Sequence, residues 1–379
     1  MIVGVPKETA EGERRVSLVP DAVSRLTGVS VLVESGAGEA AGSPDSAYTE
    51  KGASTAPDAA SLYGQADVVL KVAPPSRAEA AMLKEGATTI SFLYPLANLE
   101  AVKAMGPRRV TAFAMELIPR ISRAQPMDAL SSQSNLGGYK TVLLAAEALP
   151  RIFPLMMTAA GTLSAAKVFV VGAGVAGLQA VATARRLGAL VEAYDVRPIV
   201  KEQIESLGAR FAQLPVEAKD AQDAGGYAKA QTQEFYAKQQ KFLAERAWAS
   251  DVVITTALIP GQRAPVLISE EAVKGMRAGS VVVDMAAEQG GNCALTQPGR
   301  TVVKYGVTII GPLNLPSTMA PQASQLYARN VTSFLMTMIK DGALVVDPKD
   351  DLIKGPLVVN KGEVVHPATK AALEGGPAK

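Results

Sequence analysis

Three glycines, Gly172, Gly174 and Gly177, stand in the spacing G-x-G-x-x-G. They follow the apolar run 168–171 and open a stretch whose apolar residues recur at helical spacing. Asp195 ends the next apolar run. A strand, a glycine-rich turn, a helix and a second strand ending in an acidic residue form a pattern typical of dinucleotide-binding units.

Each glycine has its own physical role in such a unit. Glycine at 172 permits a tight turn, glycine at 174 lets the backbone approach a pyrophosphate, and glycine at 177 lets helix and strand pack closely. The start of the helix, at Val175 and Ala176, would direct its N–H groups at the anion. The alternative is an ordinary glycine-rich turn beside a helix-capping aspartate.

Asp195 bears on which dinucleotide would bind. Its carboxylate can accept hydrogen bonds from both hydroxyls of the adenosine ribose, and its charge would repel a 2′-phosphate. We therefore expect NAD(H), with the neighbouring Val196 also in contact. Arg197 keeps NADP(H) open as the minor possibility, because an arginine can accommodate that phosphate.

A second group of cofactor contacts is expected after the strand predicted at 252–256. Ligands of open α/β sheets bind at the carboxyl ends of the strands. Backbone contacts to the cofactor are therefore expected from Thr256, Ala257 and Leu258.

The composition argues against several other functions. His366 is the one histidine and Cys293 the one cysteine, so imidazole catalysis, a metal site and an intrachain disulfide are not expected. The 38 basic and 36 acidic residues are mixed along the chain, which leaves no basic face for nucleic acid. The sequence has neither a secretory signal nor a run of about 18 apolar residues. We therefore expect a cytoplasmic protein.

Strand-like apolar runs alternate with helix-like segments along most of the chain, which predicts mostly parallel sheets covered by helices. The expected fold class is α/β, with two Rossmann-like domains. A dinucleotide-binding domain at 136–317 would be inserted into a discontinuous first domain at 1–135 and 318–379. Between the strands we predict a polar segment at 119–135, a helix at 136–150, an irregular segment at 151–166, helices at 227–249 and within 316–340, and a hairpin at 356–366.

Two stretches, GVPKETAEGERRVSLVP at 4–20 and VVGAGVAGLQAVATARRLGALVEAYD at 170–195, resemble one family. That family comprises alanine dehydrogenase and the NAD(H)-binding part of proton-translocating transhydrogenase. A third stretch, MELIPRISRAQPMDALSSQSNLGGYK at 115–140, resembles the transhydrogenase loop that holds the nicotinamide ring. The resemblance implies that the ring is held by four residues, Arg120, Gln125, Asp128 and Ser131.

Elementary chemistry is compatible with that role. A carboxamide offers one acceptor and one donor group, and Arg120, Asp128 and Ser131 supply the complementary groups. Without the resemblance, a polar linker with an internal ion pair is the better interpretation. AGGYAK at 224–229 resembles the family's mobile loop, in which Tyr227 would close the site; otherwise an exposed tyrosine is expected.

The dehydrogenase branch is matched less well. Arg15 and Lys71 match its substrate-binding cations, and Glu288 stands where it uses a carboxylate. At 91–98, SFLYPLAN, where the dehydrogenases carry a catalytic histidine, this sequence has aromatic and aliphatic residues. Arg15 and Lys71 are also explained as buried, paired charges.

The resemblance implies an NAD(H)-binding subunit that exchanges hydride with NADP(H) held by a partner beta subunit, while separate membrane-spanning subunits move protons. Orientation is the main catalytic need of such a reaction, so Arg120, Gln125 and Asp128 are the expected catalytic residues. The resemblance also implies a homodimer in which 151–166 reaches the other copy, at the inner face of the membrane. The alternatives are an alanine dehydrogenase and a non-catalytic NAD(H)-sensing module.

Overall fold

Short runs of β-branched and other apolar residues form the strands of this chain. The structure is a computed structural model that describes residues 1–215, 232–258 and 263–375. In chain order the strands are β1 (Ile2–Val5), β2 (Ser30–Glu34), β3 (Ser54–Ala56), β4 (Val68–Leu70), β5 (Thr88–Ser91), β6 (Thr111–Ala114), β7 (Met156–Thr158), β8 (Gly161–Leu163), β9 (Lys167–Val171), β10 (Leu190–Tyr194), β11 (Arg210–Phe211), β12 (Val252–Thr255), β13 (Val281–Asp284), β14 (Thr301–Lys304), β15 (Val307–Ile310), β16 (Ile339–Lys340), β17 (Ala343–Leu344), β18 (Leu357–Asn360) and β19 (Glu363–Val364).

The α-helices lie between these strands, and most are short. They are α1 (Pro20–Val23), α2 (Asp45–Glu50), α3 (Ala59–Gln65), α4 (Arg77–Met82), α5 (Leu99–Met105), α6 (Ala129–Ala148), α7 (Val175–Arg186), α8 (Lys201–Ser206), α9 (Gln233–Trp248), α10 (Glu270–Lys274), α11 (Ala320–Met336), α12 (Asp351–Lys354) and α13 (Pro367–Leu373). Within the described ranges, none is both long and apolar enough to cross a membrane.

The first of two compact units consists of Met1–Gln133 and Pro316–Lys379. Its described residues form an eight-stranded sheet in the order β19-β18-β6-β5-β4-β1-β2-β3. The six strands from β6 to β3 are parallel, and β18 and β19 extend the sheet in antiparallel fashion. The parallel strands have the order 3-2-1-4-5-6 of a Rossmann sheet.

The second unit, Ser134–Leu315, repeats this arrangement. The sheet described for it has the order β11-β10-β9-β12-β13-β15-β14 and is parallel except for β14. All four residues of β12 are buried, as are those of β13, which is typical of parallel sheets with both faces covered. The expected fold class, α/β with two mostly parallel Rossmann-like sheets, is confirmed.

Two segments differ from expectation. Helix α6 begins at Ala129 and not at 136, because Asp128 caps it by accepting the backbone N–H of Ser131 at 2.8 Å. The residues before it, Ser122–Met127, form a 3₁₀ helix. The segment 151–166 is not irregular, since it contains the antiparallel hairpin of β7 and β8.

Other expectations hold. The hairpin predicted at 356–366 is formed by β18 and β19, and the helix predicted within 316–340 is α11. Of the helix predicted at 227–249, residues 233–248 are helical, and 227–231 lie outside the described residues.

Glu116 joins the ends of two neighbouring strands in the first sheet. It is the second residue after β6, and its carboxylate accepts the backbone N–H groups of Leu93, at 3.0 Å, and Tyr94, at 2.5 Å, beyond β5. Tyr94 has a left-handed φ of 41°, a conformation that costs energy in a bulky residue. Burial raises the pKa of Glu116 to about 7, although these hydrogen bonds lower it.

We predict that Glu116→Gln reduces the loss of stability with rising pH. A carboxyl group whose pKa is higher in the folded than in the unfolded state stabilises the fold at low pH, and this contribution is lost as pH rises through the folded pKa. The parent should therefore melt at lower temperature at about pH 8 than at about pH 5.5, and Glu116→Gln should narrow that difference. Circular dichroism melts measure it.

Glu100→Gln is the matched control. Glu100 is exposed on α5, and its pKa is lowered by the hydrogen bond from Lys103. Glu100 therefore titrates below this pH range, and Glu100→Gln should leave the change of melting temperature with pH as it is in the parent. If the melting temperature of Glu116→Gln fell with pH as steeply as that of the parent, the role assigned to the Glu116 carboxyl group would be wrong.

Candidate functional site

The glycine turn lies at the carboxyl end of β9, between β10 and β12. Gly172 follows the last residue of β9 with a φ of 99°, which favours glycine. A Cβ atom there would lie 2.7 Å from Thr256 Oγ1. The turn thus occupies the point where the strand order reverses, which is the usual ligand position in such sheets.

Gly177 and Gly174 serve opposite spatial needs. A Cβ on Gly177 would lie 1.9 Å from the carbonyl oxygen of Gly172, so the first turn of α7 rests directly on the glycine turn. Around Gly174, in contrast, no atom of the described residues, apart from those of its own chain neighbours, lies within 4 Å of the Cβ position. This open space adjoins the uncapped start of α7, where the N–H groups of Val175 and Ala176 have no intrahelical acceptor. The residues therefore fit a pyrophosphate.

Asp195 directly follows β10, and its carboxylate is fully engaged within the chain. Oδ2 accepts the backbone N–H of Ala173 at 2.8 Å, and Oδ1 accepts that of Arg197 at 2.9 Å. The Arg197 guanidinium donates two further hydrogen bonds, from Nε to Oδ1 and from Nη2 to Oδ2, both at 2.8 Å. Hydrogen bonding to the Asp195 carboxylate raises the pKa of Arg197, although burial of the guanidinium lowers it. Val196, between them, is half-buried and packs on the core.

The segment after β12 is tied to the glycine turn from the other side. The Thr256 hydroxyl donates to the carbonyl of Gly172 at 3.1 Å. Ala257 donates its N–H to Asn292 Oδ1 at 3.0 Å, and Asn292 Nδ2 donates to the carbonyl of Ala257 at 2.9 Å. Leu258 is exposed. Asn292 thus fixes the backbone beside the turn.

Sequence reasoning missed Asn292. Its motif, EQGGNC, drew attention only to Glu288, which is exposed and accepts the backbone N–H of Asn314 at 2.5 Å. Asn292 is completely buried, and buried polar side chains are generally hydrogen-bonded, but its polar and glycine-rich neighbourhood gave no signal that it would be buried.

Sequence reasoning also missed Gly138, in the middle of α6. A Cβ atom on Gly138 would lie 2.1 Å from the carbonyl oxygen of Ala176 and 3.0 Å from its Cα. Helix α6 therefore packs against the first turn of α7 at backbone distance, and Gly138 makes this possible. The signal was the pair Gly137-Gly138 within a helix, where glycine is otherwise unfavourable.

The 120–131 segment belongs to the first unit and has its own geometry. Arg120 and Gln125 are exposed. Ser131 donates both its N–H, at 2.8 Å, and its hydroxyl, at 2.6 Å, to the two oxygens of Asp128. Its two hydrogen bonds fix the direction of the Asp128 carboxylate.

A residue of α11 holds this segment in place. Asn330 donates to the carbonyl of Pro126 at 2.8 Å and accepts the hydroxyl of Ser132 at 2.7 Å. The 3₁₀ helix and the start of α6 are thereby tied to a buried helix of the first unit. Tyr227, the remaining expected site residue, lies outside the described residues.

Arg15 and Lys71 are both buried and paired, in agreement with the charge-pair interpretation. Lys71 follows β4 and lies 2.9 Å from both Glu8 and Glu79. Arg15 lies 2.6 Å from Glu13 and donates to Gln133. Burial lowers the pKa of Lys71, but its two carboxylate partners outweigh this and raise it, so the ammonium group stays charged.

The two sheets, and a glycine turn at the switch point of the second, define an α/β protein of the dinucleotide-binding class. Two family profiles match the sequence: "Alanine dehydrogenase/PNT, N-terminal domain" over residues 4–137, and "Alanine dehydrogenase/PNT, C-terminal domain" over residues 141–367. The chain belongs to the alanine dehydrogenase/PNT family.

Relatives from both branches of the family are similar over nearly the whole chain. An NAD(P) transhydrogenase alpha-subunit protein of Rhodospirillum rubrum is 50% identical, over 97% of this chain and 98% of its own length. A solved transhydrogenase structure from Sinorhizobium meliloti is 44% identical, with a TM-score of 0.85 over 97% of this chain and all of its own. Alanine dehydrogenase of Bacillus subtilis is 30% identical, over 98% of this chain and 95% of its own length.

We predict that Gly138→Ala weakens NADH binding by about tenfold or more, which corresponds to about 1.4 kcal/mol. The added methyl group cannot fit beside the Ala176 backbone, so the first turn of α7 must move away from the position that its N–H groups need. Titration of NADH fluorescence measures the affinity.

Gly137→Ala is the matched control. Its methyl group would meet Met285 Cε at 2.8 Å, which is the far end of a flexible side chain, and Leu315 Cβ at 4.0 Å, which is an ordinary van der Waals contact. Both substitutions favour the helix by up to about 1 kcal/mol, so a general effect on α6 would appear in both. Equal NADH affinity in the two variants would exclude the proposed role of Gly138.

Proposed function

We propose that this chain is the NAD(H)-binding subunit of a proton-translocating transhydrogenase. In this role it supports direct hydride exchange between NADH and NADP⁺ held by a partner beta subunit. The observation that carries the proposal is the open, uncapped start of α7 at Gly174, with the Asp195 carboxylate anchored to the same turn. Close similarity to transhydrogenase alpha subunits supports the choice of reaction.

The dinucleotide is assigned to the second unit by its diphosphate and ribose contacts. The N–H groups of Val175 and Ala176 would bind the pyrophosphate, with Gly172 and Gly177 holding the turn. Asp195 would bind the adenosine ribose, beside Val196 and Arg197. Thr256, Ala257 and Leu258 complete the set, and Tyr227 is added on the family resemblance alone.

The nicotinamide ring is assigned to the 120–131 segment. Asp128 is held by Ser131 with a fixed carboxylate direction, so it can accept the carboxamide NH₂, and exposed Arg120 can donate to the carboxamide oxygen. Gln125 would fix the ring. When bound, the dinucleotide supplies the transferable hydride, and the contribution of these side chains is orientation without acid or base catalysis.

Two observations disfavour alanine dehydrogenase. Residues 91–98 contain no histidine, so an imidazole is absent from the position where that branch uses one. The chain's one histidine precedes α13, where its Nδ1 lies 2.7 Å from Thr369 Oγ1. It is thus engaged in local structure at the start of a helix.

The hairpin of β7 and β8 supports the proposed homodimer. All six of its strand residues are exposed, and Met157 is 79% and Leu163 52% accessible. An exposed apolar hairpin of this kind is typical of a contact surface. The proposal further places the chain in the cytoplasm, at the inner face of the membrane, bound there through its beta and membrane-spanning partner subunits.

One assay separates the three candidate functions. The chain is supplied with NADH and either pyruvate plus ammonia or the beta subunit's NADP⁺-loaded nucleotide-binding domain. We expect NADPH formation with the partner domain and no oxidation with pyruvate. Oxidation with pyruvate would establish the dehydrogenase, and NADH binding without turnover in either mixture would establish a sensing module.

We predict that Gln125→Asn lowers the rate of hydride transfer by about tenfold or more while NADH affinity changes by less than about twofold. The shorter side chain perturbs the placement of the ring and leaves the pyrophosphate contacts intact. Stopped-flow transfer and NADH titration measure the two quantities. Gln65→Asn, at the exposed last residue of α3, is the control, and a parental rate in Gln125→Asn would remove Gln125 from the site.

A further inference from the structure

The Asn330 side chain bonds to the chain on both sides of Asp128. Its Nδ2 donates to the carbonyl of Pro126 at 2.8 Å, and its Oδ1 accepts the hydroxyl of Ser132 at 2.7 Å. A carbonyl can only accept, so Pro126 determines which end of the amide faces it. Asn330 is only 8% exposed, and hydrogen bonds in such surroundings are stronger than in water.

The Pro126 carbonyl is a sensitive point of the 120–131 segment. Pro126 directly follows Gln125 near the end of the 3₁₀ helix, where carbonyl groups depend on acceptable donors from outside the helix. Its ring fixes φ, so a held carbonyl also fixes the direction of the chain around it. A shift of this carbonyl would therefore move both Gln125 and Asp128.

Two other contacts tie this part of the chain down less directly. Arg123 pairs with Asp350, but the two side chains are 55% and 33% exposed, and exposed ion pairs contribute little. Gln133 donates to the carbonyl of Ala323 at 3.1 Å, which holds α6 on α11 beyond the segment. The buried amide of Asn330 is therefore the contact that we expect to determine where the segment lies.

We propose that Asn330 is a positioning residue for hydride transfer, and that it acts through Pro126 on Gln125 and Asp128. This role rests on the proposed function, because it requires the nicotinamide ring at the 120–131 segment. The reaction moves one hydrogen with its electron pair from NADH to NADP⁺, which yields NAD⁺ and NADPH with no proton released. Its rate depends steeply on the placement of the two rings.

Asn330→Leu and Asn330→Asp separate the donated hydrogen bond from the space that the side chain fills. Leucine is similar in size and can neither donate nor accept. An ionised aspartate still accepts the Ser132 hydroxyl but cannot donate to Pro126, whereas a protonated aspartate regains a donor. The aspartate variant should thus be rescued by acid.

The surroundings of Asn330 favour the protonated form of an introduced carboxyl group. The charged side chains on α11 and on residues 122–133, which pack on it, are Arg123, Asp128 and Arg329. Arg123 is paired with Asp350, Asp128 is itself acidic, and Arg329 is exposed. Burial without a partner cation raises the pKa of a carboxyl group, so acid rescue should begin near neutral pH.

The test uses the full chain with the beta subunit's NADP⁺-loaded domain from about pH 5.5 to about pH 8.5, the range into which burial moves a carboxyl group. Stopped-flow transfer and NADH titration are compared with the parent at each pH. We expect transfer by Asn330→Leu to be slower by about tenfold or more throughout. Asn330→Asp should be as slow at high pH and approach the parental rate at low pH. NADH affinity should change by less than about threefold in both, because the contacts at the glycine turn are untouched.

Asn360→Asp is the matched control, because it makes the same change at a half-buried position of β18 in the same unit. It should keep the parental rate at every pH. If Asn330→Leu does not fold, Asn330→Ala takes its place, since alanine favours the helix.

Three results would overturn the role of Asn330: a parental rate in the variant without a donor, an equal loss of transfer and NADH affinity, or an Asn330→Asp that is slow at every pH. An Asn330→Asp that is fast throughout, beside a slow Asn330→Leu, would support it, because the carboxyl group then stays protonated and donates. A parent that transfers no hydride to the partner domain would instead overturn the proposed function, and the role of Asn330 with it.

Discussion

The contact between the start of α7 and the end of β9 is the constraint on which the candidate site depends. Only 1.9 Å separates the carbonyl oxygen of Gly172 from the Cβ position of Gly177, so helix and strand meet without any intervening side chain. Helix α6 approaches the same turn of α7 from another direction at Gly138. These backbone contacts determine where the N–H groups at the start of α7 point, and the other contacts of this unit's site are arranged around that turn.

The two units share a strand order and differ in the residues just beyond the strands at the switch point. In the second unit the position holds the glycine turn, and space is left at Gly174. In the first unit the ends of β1 and β4 are succeeded by Glu8 and Lys71, whose ion pair is buried. A buried pair contributes little net stability and is costly to separate. One Rossmann topology therefore gives an open anion position in one unit and a closed charge cluster in the other.

Much of the fold could be predicted from local sequence patterns. The spacing of Gly172, Gly174 and Gly177 predicted the turn, because the need for a glycine at each position arises from contacts between elements that are neighbours in the sequence. The predicted start of α6 was wrong because Asp128 was interpreted only as a ligand, whereas it is also the residue that caps the helix. Short or exposed strands such as β3 and β14 have too few apolar residues to be predicted.

The parts of the candidate site that sequence reasoning missed depend on contacts between residues distant in sequence. Asn292 holds Ala257, and Gly138 faces Ala176; neither partner can be deduced from spacing. Arg197 was predicted as a possible phosphate ligand, but its bond to Asp195 is a matter of side-chain conformation that composition does not fix.

The contrast around Gly174 has a consequence for tolerance to substitution. At Gly172 and Gly177 any side chain collides with the protein itself, so these positions are constrained by folding, with or without a ligand. At Gly174 the described residues leave room for a methyl group, and an occupant of the site would exclude it. Natural or laboratory variants that carry alanine at 174 should thus fold normally but no longer bind the ligand. Within six residues of chain, two glycines are therefore constrained by folding and a third is constrained by binding.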